Sequence, residues 1–396
     1  MNPGADDHSK TAQHSGRSVW LRRVVLLTVF LATLRLLPPA WCGRNGGAWW
    51  RGDLELQARL GSSVERWISR PLVLDQFLTG DPTFDGEWLF GTFQMAILGS
   101  AQLAREHPEL RADCLRRMEL AEDRMLAEQV RHFDRREWKE DPIDALDGPN
   151  GHAGYLAYFN LALGVHRQLD PQFKHRGLND RISVALARNL NASPIRLIET
   201  YPGQTYPVDN CAAAASLLLH DRADRTNRFR PVYQRWLAEM KSRYTDPRTG
   251  LLIQAVSSRT GNPTDAPRGS GTLLGSYFLG LAGEPFARDL YLAARRELTA
   301  PVAGFGAVRE YPPGIIAGSG DIDSGPLIFG RSISASGFMM GCARQQGDEE
   351  TFRSIFRSVH LFGAPTRQAG MTTFAVGGPL GDSLLTARPV GMGVPP

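Results

Sequence analysis

Two carboxylates, Asp321 and Asp323, lie two residues apart in a segment rich in Gly, Ser and Pro that leads into an apolar run of small residues. A segment of that composition predicts an accessible loop, and the apolar run predicts a helix that holds the loop in place. Paired carboxylates can bind Ca²⁺ or Mg²⁺, but the further oxygen ligands of a calcium loop do not follow at the right spacing. We therefore expect catalytic acid/base chemistry from this pair, with no metal and no cofactor.

A third carboxylate, Asp209, opens an alanine-rich apolar run together with Asn210. The segment before it carries two prolines, a glycine and the side chains of Tyr201 and Tyr206, which offer hydroxyl groups and ring faces to a substrate. Burial among such neighbours raises the pKa of a carboxyl group, as a general acid requires. Asp209 is thus the expected catalytic acid, with Asn210 and the two tyrosines as substrate contacts. The alternative is that Asp209 only caps the helix.

Further loops add candidate groups. Asp85 and Glu87 precede another predicted helix, with Trp88 beside them as a stacking surface, and Tyr311 lies ahead of the first acidic loop. We expect these four to contact substrate, although acids at a helix start often serve only as caps or as partners of the helix dipole. His152 follows a glycine at the start of a further helix, where an imidazole can act as an acid/base or simply hold the helix end.

Charge and motifs exclude several classes of protein. The formal net charge is +4, yet residues 1–51 carry seven Lys/Arg against two Asp, which leaves the rest of the chain at −1. A nearly neutral body argues against nucleic-acid binding, which depends on clustered Lys/Arg. No G-x-S-x-G, Walker, H-E-x-x-H or dinucleotide-binding motif occurs. Four scattered cysteines without a C-x-x-C predict buried free thiols, with a single disulfide as the alternative.

Helical patterning recurs from about residue 48 to the end, with few and short strand-like runs. Small-residue, apolar helices alternate with charged, amphipathic ones. A double ring of helices needs inner members that are apolar nearly all round and outer members with one polar face. The alternation therefore predicts an all-α protein, a single α/α toroid over 48–396. In such a barrel the loops that enter the inner helices line a central cavity, and the candidate residues lie on those loops.

The N-terminal segment is of another kind. Residues 1–18 are polar without periodicity and predict a disordered tail. Residues 19–42 contain an apolar run behind Arg22 and Arg23 that ends at Pro38-Pro39, which predicts a signal peptide or a signal anchor. We expect the body to be exported to the periplasm, or anchored to the inner membrane through residues 19–41 and facing outward. A cytoplasmic protein with an apolar leader is the alternative.

The order of motifs resembles the linalool dehydratase/isomerase family over roughly residues 75–350. The resemblance rests on Asp141-Pro142-Ile143 followed by Gly151-His152, on residues 202–211, on Trp236-Leu237 through Asp246-Pro247-Arg248-x-Gly250, and on the acidic loop at 321–325 leading into 334–338 and Gly347-Asp348. It implies an exported (α/α)6 barrel that adds, removes or relocates water on a terpene alcohol. By the same resemblance His152 is the family's catalytic histidine, while Thr200 and Asp209 stand near the positions of its two cysteines.

Three functions stay open from the sequence. The first is an acid/base enzyme of lyase or isomerase type acting on an uncharged hydroxylated molecule, in which Asp209 protonates the leaving hydroxyl and His152 or an opposite carboxylate removes a proton. The second is a glycoside hydrolase with opposed carboxylates and aromatic side chains that stack on sugar rings. The third is a non-catalytic ligand-binding barrel of the cell envelope. The expected partner is a small molecule or glycan, without nucleic acid, and a homo-oligomer stays open.

Overall fold

The computed structural model describes residues 7–71, 74, 77, 79–315 and 320–387. Within these residues the chain folds into fifteen α-helices. They are α1 Asp7–Gly43, α2 Gly46–Trp50, α3 Leu54–Ile68, α4 Pro82–Glu106, α5 Arg111–Met125, α6 Glu128–Trp138, α7 Ala153–Leu169, α8 Arg176–Ala192, α9 Pro207–Asp224, α10 Arg230–Arg243, α11 Gly269–Leu281, α12 Pro285–Leu298, α13 Ile333–Gln345, α14 Glu349–Gly363 and α15 Gly378–Ala387.

Short strands occur only in the connections between helices of the described chain. They are β1 Gln204–Thr205, β2 Val256–Ser257, β3 Val308–Arg309, β4 Leu327–Ile328, β5 Arg331–Ser332, β6 Pro365–Gln368 and β7 Met371–Phe374. β1 pairs with β2, β5 lies between β3 and β4, and β6 pairs with β7, all antiparallel. These small sheets stiffen the loops that enter α9, α11, α13 and α15.

The barrel helices alternate between an outer and an inner ring, as the sequence predicts. The inner helices are α4, α7, α9, α11, α13 and α15, and successive members from α4 to α13 pack side by side, while α15 packs against α4 and α3. Inner helices are buried nearly all round: α9 is buried continuously from Pro207 to Asp221. Outer helices bury one stripe, which in α14 comprises Phe352, Ile355, Phe356 and Ser358. Six outer–inner pairs form an (α/α)6 barrel, and the predicted fold class is confirmed.

One end of the barrel is filled by side chains. At the C-terminal ends of the inner helices, the Gln102 amide donates to the Tyr277 hydroxyl at 2.6 Å. Both groups also donate to the carbonyl of Ala387, at 2.8 and 2.6 Å. The opposite end, where the inner helices begin, carries the entry loops with the candidate residues. We call that end the mouth.

The apolar N-terminal segment is a helix that extends beyond both predicted limits. α1 already begins at Asp7, within the predicted disordered tail, whose residues 1–6 lie outside the described residues. It also continues through Pro38 and Pro39 to Gly43, although the prolines remove two backbone donors. Burial of Pro39 and Cys42 against the barrel stabilises that last turn. The predicted domain limit at 396 likewise falls outside the described residues, because the description ends at Ala387.

Candidate functional site

Asp209 lies in the first turn of α9 but does not cap it. Its side chain is buried, with 6% of its surface accessible. One carboxylate oxygen accepts a hydrogen bond from the Tyr158 hydroxyl at 2.6 Å, and the other accepts from the Thr200 hydroxyl. Burial raises the pKa of Asp209 to about 6, although these two hydrogen bonds oppose the shift by stabilising the ionised form. The raised pKa expected of a catalytic carboxyl group at Asp209 is therefore supported by its surroundings.

Asp323 shares this environment from the loop that enters α13. Its side chain is accessible to water, although neighbouring protein atoms partly desolvate the carboxyl group. Its carboxylate accepts a hydrogen bond from the Gln254 amide at 3.1 Å. Burial raises the pKa of Asp323 to about 6, and the charge of Asp209 adds to the effect. A carboxyl group whose pKa is raised by a neighbouring carboxylate favours a state in which it holds a proton while its neighbour is ionised.

Glu87 is the third member of what we call the carboxyl cluster, Glu87, Asp209 and Asp323. It lies on α4 and accepts a hydrogen bond from the Tyr201 hydroxyl. Burial, and then the charges of Asp323 and Asp209, raise the pKa of Glu87 to about 8. Glu87 is consequently neutral at pH 7 and offers a hydroxyl donor to the cavity.

Tyrosine hydroxyl groups surround the cluster. Tyr201 and Tyr206 were expected there from the sequence, and burial followed by the charge of Asp209 raises the pKa of Tyr206 to about 12. Tyr158 and Gln254 were not expected, and each bonds directly to a cluster carboxylate. Tyr158 lies within the apolar helix α7, where the neighbouring residues give no sign of a functional role. Only the packing of α7 against α9 brings its hydroxyl to Asp209.

Asp321 and Tyr311 lie apart from the cluster. Asp321 forms an ion pair with Arg268, which also pairs with Asp265. The Arg268 guanidinium lies 5.3 Å from the centre of the Tyr311 ring. Asp321 also accepts a hydrogen bond from the backbone N–H of Ser324 at 3.0 Å, which turns the loop. Arg268 neutralises the charge of Asp321, whereas Asp323 accepts its hydrogen bond from an uncharged amide, and the catalytic role of Asp321 stays a prediction.

His152 lies in a buried group of aromatic and acidic side chains next to the segment that bonds Asp209, and its catalytic role stays a prediction. Its ring is fully buried and lies 4.6 Å from the Trp138 ring at an angle of 35°. Its Nδ1 is 2.6 Å from Asp134 and its Nε2 is 3.2 Å from Glu140. Both nitrogens are thus occupied by carboxylates. The Trp138 indole donates to the carbonyl of Thr200 at 3.2 Å, which connects this group to the segment that bonds Asp209.

Two further predicted substrate contacts have structural roles instead. α4 begins earlier than expected, at Pro82, so Asp85 lies within its first turn. The Asp85 carboxylate accepts a hydrogen bond from the backbone N–H of Thr79 at 2.7 Å and so fixes the turn before the helix. Asn210 is fully buried and bonds both the N–H and the carbonyl of Ile198, so no donor or acceptor faces the cavity. Trp88 is half-buried on α4, one residue from Glu87, and stays a candidate for substrate contact.

Cysteine chemistry has no support at this site. Cys211 follows Asp209 by two residues but has no accessible surface, and burial raises its pKa well above the usual thiol value. All four cysteines are buried, and no disulfide joins them. A thiolate there would be costly, so the acid/base groups of the cavity are carboxyl and hydroxyl groups.

Metal-ligand geometry among the described residues occurs only away from the mouth, at Asp180, His220 and Asp224. Arg167 already pairs with both acids, at 2.6 Å to Asp180 and 2.7 Å to Asp224. An arginine that bridges the two carboxylates fills the place of a cation. This group therefore stabilises α7, α8 and α9 against one another.

Comparison with models of protein families finds a match to one family. The model of the linalool dehydratase/isomerase family matches residues 163–377, which include Tyr201, Asp209 and Asp323 but not Glu87 or Tyr158. No curated protein sequence matches.

Several solved structures show weak similarity to the chain. An α-1,6-mannanase from Salegentibacter sp. HEL1_6, solved with α-1,6-mannotriose, is 12% identical, with 76% of this chain and 89% of that chain covered at a TM-score of 0.48. The unsaturated glucuronyl hydrolase from Bacillus sp. GL1 is 12% identical, with 76% and 84% covered at 0.46. An α-mannanase from Bacteroides thetaiotaomicron is 8% identical, with 76% and 84% covered at 0.46. Similarities at this level carry no information on the substrate.

Proposed function

Because the chain belongs to the linalool dehydratase/isomerase family, we propose that it eliminates, adds or relocates water on an uncharged alcohol, with Asp209 and Asp323 as the acid/base pair. The observation that carries this proposal is the state of these two acids. Asp209 is buried at the start of α9 and Asp323 lies on the loop that enters α13, and among the described residues both accept hydrogen bonds from hydroxyl or amide donors rather than from a cation. Acids of that kind exchange protons near neutral pH, whereas ion-paired acids remain ionised.

The hydrogen bonds support a different proposed role for each acid. Two hydroxyl donors stabilise Asp209 as a carboxylate, while the charge of Asp209 keeps the proton on Asp323. Asp323 is then the acid and Asp209 the base, which reverses the direction expected from the sequence. In elimination, Asp323 gives its proton to the hydroxyl group as the C–O bond breaks, and water leaves. Asp209 takes a proton from the adjacent carbon, and the C–H electron pair forms the double bond.

The remaining steps follow from the same groups. A proton returns from Asp209 to Asp323 through water, which reaches Asp323 because that side chain is accessible. Addition of water is the reverse sequence, and addition at a different carbon isomerises the alcohol. Neutral Glu87 donates a hydrogen bond to the substrate oxygen, and Tyr201 holds Glu87 in position.

Glycoside hydrolysis is the second candidate. Water-accessible Asp323 and buried Asp209 would act as base and acid on a glycosidic bond, with half-buried Trp88 and Tyr206 available to stack on sugar. A non-catalytic binding barrel is the weaker third candidate, because it gives no reason for a cluster of carboxyl groups without cation partners.

Incorporation of ¹⁸O from water distinguishes the three candidate functions, and it does not require the identity of the alcohol or sugar to be known. The full-length protein is incubated in H₂¹⁸O with acyclic and cyclic terpene alcohols and, separately, with glycans, and products are analysed by mass spectrometry. The proposal predicts ¹⁸O in recovered or isomerised alcohol, together with alkene. Label only in the reducing end of released sugars would instead establish the glycoside hydrolase. No label in any substrate would favour the binding barrel.

We also propose that the barrel is exported and held at the outer face of the inner membrane by α1. Among the described residues, the segment Val19–Trp50 is the only helical stretch long and apolar enough to cross a membrane, and a signal sequence would have the same properties. Its large apolar side chains from Val19 to Trp41, such as Leu26, Phe30 and Leu36, are exposed. Carbonate extraction of membranes tests this, because an anchored chain stays in the pellet and a processed one is released.

A further inference from the structure

Helix α1 reaches the barrel on the mouth side. The connection between α12 and α13, which enters an inner helix, packs against the last turns of α1. A Cβ atom placed on Gly304 would lie 3.0 Å from the Pro39 ring and 4.0 Å from the carbonyl oxygen of Arg35. Arg357 of α14 donates to the carbonyl of Gly304 at 3.0 Å and lies against Gly43. A membrane into which α1 inserts therefore lies on the mouth side of the barrel.

The apolar part of α1 has the length and ends of a membrane span. Trp20 and Trp41, each 65% exposed, are 21 residues apart, which is about 31 Å along a helix. The hydrocarbon core of a bilayer is about 30 Å thick, and tryptophan favours its two interfaces. With Trp41 at one interface, Pro39 and Arg35 lie about 3 Å and 9 Å deeper. The loop around Gly304 touches α1 at that depth, so it cannot remain in bulk water.

Exposed apolar side chains of the barrel concentrate beside this contact. Beyond α1, ten large apolar side chains of the described residues are exposed. Six of them form what we call the apolar rim: Val302, Ile328, Phe329, Leu361, Phe362 and Val376. Phe329, at 91%, is the most exposed of all.

Hydrogen bonds join the parts of the apolar rim. Arg331 donates to the carbonyls of both Ala300 and Phe329, at 3.1 and 3.0 Å, and so connects the two loops. The N–H of Val376 donates to the carbonyl of Gly363 at the end of α14, at 3.3 Å. Ser358 of α14 donates to the carbonyl of Gly306, which joins these two parts beside the contact between Gly304 and α1.

Basic side chains accompany the rim. Arg44 donates to the carbonyl of Trp41 at 3.1 Å and stacks 4.0 Å over its ring, while Arg357 and Arg331 bond backbone carbonyls of the two rim loops. Within the described part of the chain none of these three arginines pairs with a carboxylate. Apolar side chains bordered by such arginines fit an anionic lipid surface, where guanidinium groups bind phosphates and the rings lie among the acyl chains.

We propose that the apolar rim inserts into the membrane that α1 spans, so that the mouth of the cavity opens onto the lipid interface. Phe329 and Asp323 belong to the same loop, six residues apart, so a lipid-embedded rim brings the catalytic loop to the membrane surface. The consequence for the substrate rests on the proposed function: a water-insoluble alcohol dissolved in the bilayer enters the cavity without crossing the aqueous phase.

The test is the depth of the rim, measured on the full chain in vesicles of phosphatidylcholine and phosphatidylglycerol. A nitrobenzoxadiazole fluorophore is attached at Phe329→Cys or Val302→Cys, and at Gln172→Cys, an exposed control at the opposite end of the barrel. The four native thiols are buried, and the unsubstituted chain gives the labelling background. All variants carry the same α1 anchor, so differences in quenching between the labelled positions report the depth of the rim.

At an interfacial depth of about 5–10 Å, lipids brominated near the headgroup should reduce the fluorescence at positions 329 and 302 roughly twofold and leave position 172 unchanged. Equal, unquenched emission at all three positions would overturn the proposal. A blue shift at 329 that brominated lipid does not quench would also overturn it, because a second protein surface would then cover the rim. Fluorescence depth does not depend on turnover, so failure of this proposal and failure of the proposed function are separate results.

Discussion

At the residue scale, environment separates acids that look alike in sequence. Asp321 and Asp323 are two positions apart, yet Arg268 neutralises one while the other faces the cavity with a raised pKa. The sequence predicted Asp209, Asp323 and Glu87 because each lies at the entry to a small-residue helix. It could not assign Asp321, since its partner Arg268 is 53 positions away in the chain, nor Tyr158, whose role depends on how α7 and α9 pack.

The first prediction concerns pH. The base must be ionised, so activity falls as the pH drops below the pKa of Asp209. The acid must be protonated, so activity also falls as the pH rises above the pKa of Asp323. Both pKa values lie at about 6. We expect kcat/KM for the alcohol to peak near pH 6 and to decline on both sides. A profile that rises steadily to pH 9 would rule out this pair.

The second prediction concerns the hydroxyl that bonds Asp209. Tyr158→Phe removes a donor that stabilises the carboxylate, so the pKa of Asp209 rises and the acidic limb of the pH profile moves to higher pH. A lost hydrogen bond to a charged group is worth about 1.5–3 kcal/mol, which corresponds to a shift of about one to two units. Tyr155→Phe on the same helix is the matched control, because its hydroxyl donates to the carbonyl of Met125 outside the cavity. An acidic limb that stays in place in Tyr158→Phe would contradict the assignment.

At the element scale, the entry to each inner helix decides whether a side chain reaches the cavity. Asp209 and Asp323 reach it from the entries to α9 and α13. His152 precedes α7 with a left-handed backbone (φ 48°), and its ring lies between Asp134 and Glu140. The sequence located these entries correctly, since glycine, proline and acids mark them. The direction in which each side chain points was not predictable from the sequence. For His152 it follows from the backbone angles and from partners on α6 and on the loop after it.

The third prediction tests the role of His152. His152→Ala leaves the carboxylate of Asp134 buried without its partner, which costs about 3 kcal/mol of folding free energy or more. We expect a lower thermal midpoint, and a pH profile of the remaining activity with unchanged limbs. The measurement is thermal unfolding by circular dichroism together with the pH profile. A kcat lowered a hundredfold or more with unchanged thermal midpoint would instead make His152 a catalytic base.

At the scale of the whole molecule, alternation of helix types predicted the architecture. The small-residue apolar pattern corresponds to the continuous burial of α9. The amphipathic pattern corresponds to the narrow buried stripe of α14. The sequence did not reveal that α1 would continue through Pro38 and Pro39, because the contacts that hold its last turn come from the α12–α13 loop and α14. Long-range contacts of that kind have no local pattern.

The fourth prediction concerns the cysteines. All four are buried and no disulfide joins them, so dithiothreitol should leave the thermal midpoint unchanged. A thiol reagent should react slowly with the folded protein and with four groups after unfolding in guanidinium chloride. A midpoint that falls on reduction would indicate a disulfide and would require a different packing of the inner ring.

The central claim is that Asp209 and Asp323 transfer the protons. Its most direct test is the rate of ¹⁸O exchange from water into the alcohol for Asp209→Asn and Asp323→Asn, with Asp321→Asn as the matched control on the same loop. Loss of general acid/base catalysis lowers rates by roughly 10²–10⁴. We predict losses of that size in both cluster variants, with thermal midpoints near that of the unsubstituted protein, and less than a tenfold change in Asp321→Asn. Undiminished exchange in Asp209→Asn or Asp323→Asn would contradict the mechanism.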